Sequence, residues 1–150
     1  MKNKILYLLP LLVLFAGSCT TPNVTPPATA LVPQGTYTGQ FTLAHLDSKT
    51  GMLDTSKKAN LMLNMETATG FKVTGDTATV HAGSYGGYIV TTSTGQVQFF
   101  DKTYPPTGTP AKIHLDGIYD YTYDGTTLKI AAFGPLDTLE YFYKFTKTGN

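Results

Sequence analysis

The chain has 150 residues, 41% of them hydrophobic and only 14% charged, with a formal net charge of +1. That length suits one domain with its own core and is too short for two of ordinary size, and the hydrophobic content excludes disorder as the overall state. Every basic residue is a lysine, so the bidentate donor preferred at phosphates and base edges is missing, and a near-neutral chain has no field to steer nucleic acid; no nucleic-acid partner is expected.

The chain opens with a short positive stretch holding Lys2 and Lys4, then an apolar run from Ile5 to Phe15 broken only by Pro10, then the small residues Ala16, Gly17 and Ser18. This is the layout of a secretory signal peptide over residues 1–18, and the apolar run is shorter than the roughly 20 residues of a membrane span. Cys19, the chain's one cysteine, follows directly. No second cysteine exists to pair with it, so its alternatives are modification or a chance thiol beside an ordinary signal peptide. Residues 20–34 are rich in Pro and Thr and carry no charge, which favours an extended polyproline-like tether.

From Gly35 onward the pattern has a period of two and no sustained helical period. Tyr37, Gly39, Phe41 and Leu43 alternate with Thr38, Gln40 and Thr42. Asp47–Ser56 carries turn chemistry. Ala59, Leu61, Leu63 and Met65 then share a face, followed by Phe71 and Val73, by Ala78, Val80 and Ala82, by a strand from Tyr88 to Thr92, and by Val97 and Phe99. The glycine-rich Gly83–Gly87 reads as a flexible loop or bulge, without the Lys and Ser/Thr of a phosphate loop. Thr103–Pro110 reads as a loop at a barrel mouth. Asp124-Gly125 is a two-residue hairpin signal that pairs Tyr123 with Thr126, Tyr121 with Leu128, Tyr119 with Ile130 and Asp120 with Lys129. A last strand, Thr138 to Thr146, places Leu139, Tyr141, Tyr143 and Phe145 on one face. About eight antiparallel strands joined by short turns predict an all-β domain over 35–150. An up-and-down barrel, which removes sheet edges, is the leading form, and a two-sheet sandwich is the alternative.

Two resemblances add to this reading. Ala16-Gly17-Ser18-Cys19 resembles the lipobox of bacterial lipoproteins, although that family often has Leu where this chain has Ala16. The resemblance implies cleavage before Cys19, fatty acylation at Cys19 and a lipid anchor in the cell envelope. Thr20 after the cysteine implies the outer membrane, with its periplasmic or surface face left open. Gly35-Thr36-Tyr37-Thr38-Gly39, Val97 to Asp101, Gly117 to Tyr119, Tyr123 to Leu128 and Tyr143 to Lys147 resemble the lipocalin-like domains of small bacterial lipoproteins. Lipocalins proper open on Gly-x-Trp, and here Tyr37 stands in the place of that Trp. The resemblance implies an eight-stranded barrel that holds a small apolar molecule.

The expected function is a membrane-tethered lipoprotein binding a small hydrophobic or amphipathic ligand in the barrel. Tyr37, Phe41, Tyr88, Tyr119, Tyr121, Tyr141 and Tyr143 are its candidate ligand-binding residues. A buried phenol needs a hydrogen-bond partner, so a tyrosine cluster means either a filled, bonded core or a partly polar cavity. The alternative is a non-catalytic envelope module with a filled core, contacting a protein through outward residues such as Phe100, Phe133 and Phe142. His45, His81 and His114 are spaced too widely to form a ligand pair and read as surface or rim residues. Asp116, Asp120 and Asp124 read as the polar outer face of one strand. No metal, cofactor or catalytic constellation is expected, and the chain is not read as an enzyme.

Overall fold

A computed structural model describes residues 31–47, 49–133 and 139–150, apart from the side chain of Ser56. The leader, Cys19 and the tether up to residue 30 lie outside the described residues. Eight strands follow in chain order: β1 (Gly35–Leu46), β2 (Leu53–Glu66), β3 (Gly70–Gly75), β4 (Tyr85–Thr91), β5 (Gln96–Asp101), β6 (Gly117–Tyr123), β7 (Thr127–Phe133) and β8 (Leu139–Gly149). Each pairs antiparallel with the next, and β8 returns to β1 from Thr36↔Gly149 to His45↔Leu139. This closes the barrel and rules out the sandwich. It is the eight-stranded architecture that the lipocalin-like resemblance implied. All of its ladders close within the described chain, so the barrel needs no further segment to complete its sheet.

Side-chain alternation decides which face of each strand is buried. Tyr37 and Phe41 of β1, Ala59, Leu61, Leu63 and Met65 of β2, and Phe71 and Val73 of β3 point inward. Val97 and Phe99, Tyr119 and Tyr121, Leu128 and Ile130, and Tyr143 and Phe145 complete one continuous cluster. An irregularity between Leu43 and His45 places the extra residue on β2, between Asp54 and Lys57; Ala44 is buried and His45 exposed.

Four local expectations are corrected. The turn before β2 is shorter than Asp47–Ser56, because Gly51 N–H donates to Asp47 O and Asp47 N–H to Met52 O, so pairing resumes at Leu53. Ala78–Ala82 is not a wall strand. Gly75, at φ 105°, turns the chain out of the sheet, and the segment makes a single parallel bridge, His81↔Ile113. Residues 85–87 of the glycine-rich run open β4 and are not a loop. A Cβ on Gly86 would lie 1.9 Å from the Phe100 carbonyl, and one on Gly70 1.9 Å from that of Gly86, so these glycines serve close strand approach. The β6–β7 register differs by two residues from the expected one, with Tyr123 opposite Leu128, Tyr121 opposite Ile130 and Thr122 opposite Lys129. Its cause is Asp124, whose carboxylate accepts N–H bonds from Thr126 (2.9 Å) and Thr127 (2.6 Å) and builds a longer loop. A two-residue slip preserves facing, so the predicted inward tyrosines stay inward.

The two ends differ. At one end residues 31–34 cross the barrel floor. Tyr121 Oη donates to Leu31 O (3.1 Å), Tyr37 Oη to Gln34 O (2.9 Å), and Gln34 Nε2 to Thr67 Oγ1 (2.6 Å), with Pro33 buried. At the other end, the mouth, segments 76–84 and 102–116 fold over the opening and bond to each other through Ala82 N–Ile113 O and Ile113 N–Val80 O.

Candidate functional site

The barrel interior is packed with aromatic side chains. Phe41 sits against His81 (5.1 Å between ring centroids), Tyr143 (4.8 Å) and Tyr141 (6.5 Å), and Tyr119 against Phe99 (5.8 Å) and Tyr143 (6.0 Å). Tyr37 packs edge-on to Tyr123 and Tyr88 against Phe99. Of the seven candidate wall residues, Tyr37, Phe41, Tyr121 and Tyr143 are therefore core groups. Tyr88 borders a separate, shallower hollow with Thr67, Thr69, Gly87 and Lys102. Tyr119 and Tyr141 border a cavity at the mouth.

Against these rings lies a residue expected at the surface or rim. His81 is 0% exposed. Segment 76–84 carries it into the mouth as a plug. Its Nδ1 faces the Ala82 carbonyl, which can only accept, so Nδ1 carries the proton and Nε2 accepts from Tyr143 O–H at 2.9 Å. Burial pushes the phenols of Tyr143 and Tyr119 above their usual range and holds His81 down to about 4, so all three are neutral at physiological pH.

The mouth cavity has a volume of about 410 Å³ and lies between segment 104–117 and the mouth ends of β6, β7 and β8. Tyr104, Ile113, Ile118, Phe133 and Tyr141 give it apolar walls, and Lys112, His114, Asp116 and Tyr119 bring polar groups. Behind it stands Asp101, whose side chain is 0% exposed. Its Oδ1 accepts from Thr103 N (2.7 Å), Thr103 Oγ1 (2.7 Å) and Tyr85 N (3.3 Å), and its Oδ2 from His114 Nδ1 (2.7 Å). Burial opposes ionisation of this carboxyl, but the bonds from Thr103, His114 and Ser84 outweigh it and lower the pKa, so Asp101 is a fixed negative charge. The pairing fixes the His114 ring, which also packs edge-on against Tyr104 at 5.4 Å. Asp116 Oδ1 accepts from Asp101 N at 2.9 Å, tying the same corner to the start of β6.

Neither Asp116 nor Asp124 lies on a strand, so only Asp120 fits the expected outer face, where Gln96 Nε2 donates to it. The expectation that the three histidines are surface or rim residues is overturned for His81 by its burial; His114 lies part-buried at the mouth, paired with Asp101, and His45 is exposed. Among the described residues no three His, Cys, Asp or Glu side chains gather as a metal site. A larger groove of about 520 Å³ runs over the outer wall of β2–β4, bordered mainly by polar residues such as Asn64, Glu66, Lys72 and Lys102. Phe71 and Tyr85 are its aromatic members, whereas the mouth joins its polar groups to a larger set of aromatic and aliphatic side chains. Comparison with protein families, with curated proteins and with solved structures finds no match to this chain.

Proposed function

We propose that the protein is a lipid-anchored envelope lipoprotein that binds a small, partly apolar molecule in the mouth cavity of its barrel. The observation that carries the reading is the contrast between the two spaces. The interior is occupied by the chain's own rings and by His81, whereas the mouth combines five apolar residues with Lys112, His114, Asp116 and Tyr119 around about 410 Å³. Of the seven residues expected to hold the ligand, Tyr119 and Tyr141 remain at the proposed site, while Tyr37, Phe41, Tyr121 and Tyr143 belong to the filled core.

The anchor and the cavity are arranged consistently. Residues 31–34 enter at the barrel floor, so a tether running back to Cys19 leaves from the end opposite the mouth. At roughly 3 Å per extended residue, such a tether lets the mouth face away from the bilayer. Cys19→Ala is expected to abolish incorporation of labelled fatty acid and leave the leader uncut; unchanged labelling contradicts the anchor.

For the cavity, the chain from Cys19 onward is titrated with a polarity-sensitive lipophilic fluorophore. Saturable binding is expected, and Tyr141→Ala or Phe133→Ala is expected to weaken it about tenfold, the equivalent of losing one buried aromatic contact of about 1.4 kcal/mol. Binding unchanged in both variants contradicts the site.

One observation favours a second reading, an interaction module. Phe133 is 75% exposed, and continuing the Asp120–Ala131 register sets it beside exposed Ile118 on the outer wall, with Phe142 of β8 nearby. Phe133→Ser that abolishes capture of an envelope protein while leaving fluorophore binding intact would support that reading over the first.

A further inference from the structure

We propose that the mouth cavity selects an organic ammonium ion, an amine or quaternary ammonium carried on an apolar body. This rests on reading the cavity as the ligand site, and it names the chemistry of the occupant.

Tyr104 of the 102–116 segment, Tyr119 of β6, Phe133 of β7 and Tyr141 of β8 border one cavity from four separate elements. The face of an aromatic ring carries the negative end of its quadrupole, so a ring that turns its face to a ligand attracts a cation and repels an anion. Burial, and then the Tyr104 hydroxyl across the cavity, push the Tyr141 phenol up, so it remains a neutral hydroxyl.

Charge points the same way. Asp116 borders the cavity, and Asp101, ionised, stands directly behind His114. Among the described residues the single ammonium on the wall belongs to Lys112, whose Nζ donates to Thr77 O at 2.9 Å and is drawn toward the 76–84 segment. Asp116 thus stands on the wall against one displaced cation, with Asp101 behind it paired to His114. His114 adds direction: with Nδ1 held by Asp101, Nε2 is the ring nitrogen left to meet a ligand. A carboxylate in this place would meet Asp116 and the ring faces. An alcohol would find acceptors and leave the charge unanswered.

The test uses the chain from Cys19 onward and three probes that share one ring: naphthylmethylammonium, naphthylmethanol and naphthoate, titrated calorimetrically at neutral pH and low salt. The ammonium is expected to bind about tenfold tighter than the alcohol, with the carboxylate weakest. Asp116→Asn keeps an oxygen for the Asp101 amide, and is expected to remove most of the ammonium's advantage while leaving the alcohol within about twofold. Should that variant fail to fold, Tyr104→Leu, at a half-exposed loop position, is expected to reduce the same advantage severalfold. An advantage that persists unchanged in the folded variant overturns the inference. So does an alcohol equal to the ammonium, or a carboxylate tighter than either, and these results leave the cavity standing as a binding site. If none of the three binds the folded protein, the cavity reading falls, and this inference with it.

Discussion

Acidification from about pH 7 to pH 4 is expected to remove on the order of 3 kcal/mol of stability, and His81 is the group responsible. An unfolded histidine takes up its proton near 6.5, whereas burial holds His81 to about 4. Between these values the unfolded chain binds a proton that the native chain excludes. The contribution is therefore fully present above 6.5, falls as pH drops toward 4, and changes no further below. The Ala82 carbonyl and the negative charge of Asp101 favour the charged ring, while His114, when protonated, opposes it; desolvation exceeds them all. Tyr143, the remaining polar neighbour, is neutral and donates to the ring. Asp47, Asp101 and Asp124 also have lowered pKa values, but their stabilisation is lost only below the ordinary 3.8 of an aspartate, outside this window. The loss should be local at first. Amide exchange is expected to rise in segments 76–84 and 102–116, which His81 joins to the barrel, before it rises in β1, β2 and β8. His81→Gln keeps a polar side chain without a titration. It is expected to be less stable than the parent at pH 7 and nearly independent of pH from 6.5 to 4, as read from urea midpoints. A parent with a flat profile across that interval contradicts the burial of a neutral His81.

Gly39→Val is expected to cost about 3 kcal/mol or more, and to leave part of the protein unfolded at 37 °C. A Cβ at this position would lie 2.0 Å from the Lys144 carbonyl and 2.7 Å from the Phe145 Cα. Both atoms belong to β8, the strand that closes the barrel onto β1, where Gly39 pairs with Phe145. Neither is the end of a side chain that can swing away, so the closing ladder itself must shift. Gly87 is the matched control. It too lies on a strand at ordinary φ, but a Cβ there meets nothing within 4 Å. Gly87→Val is expected to stay within about 1 kcal/mol of the parent by chemical denaturation. Equal destabilisation by the two substitutions would mean that the loss of glycine, and not the closing contact, sets the cost.

The contrast between these glycines shows how far the sequence could be read. Period-two alternation identifies inward residues because the side-chain period of a strand is fixed by the backbone. Leu61, Leu63, Phe71, Val97 and Phe99 follow from it directly. So do the inward tyrosines, which survive a two-residue error in the β6–β7 register because facing repeats every second residue. That error came from Asp124, which can serve either a two-residue turn or a capped longer one; the choice depends on how its carboxylate meets Thr126 and Thr127. Gly39 was legible as a glycine in a strand and Gly86 was read as loop or bulge, because the carbonyl each accommodates belongs to another strand and leaves no local signal.

The site was less legible for the same reason. Tyr119 and Tyr141 were identified from alternation. His114 and Asp101 meet across 13 positions of irregular chain, and no periodic signal passes through such a segment. Asp101 followed two residues later by Thr103 was the one local sign, since an acid in that spacing commonly accepts from the following backbone. His81 carried no sign at all. Its neighbours Val80 and Ala82 suggested a strand of opposite phase, and only the turn at Gly75 and the bridge to Ile113 bring its ring inside.

The central claim is that a ligand sits at the mouth while the interior stays filled. Amide and aromatic chemical-shift mapping of the chain from Cys19 onward, during titration with the lipophilic fluorophore, tests it most directly. Saturable shifts confined to Tyr104, Ile113, His114, Ile118, Phe133 and Tyr141, with Tyr37, Leu63 and Phe145 unmoved, are the predicted result. Shifts centred on Tyr37, Leu63 and Phe145 would place the ligand inside the barrel and contradict it.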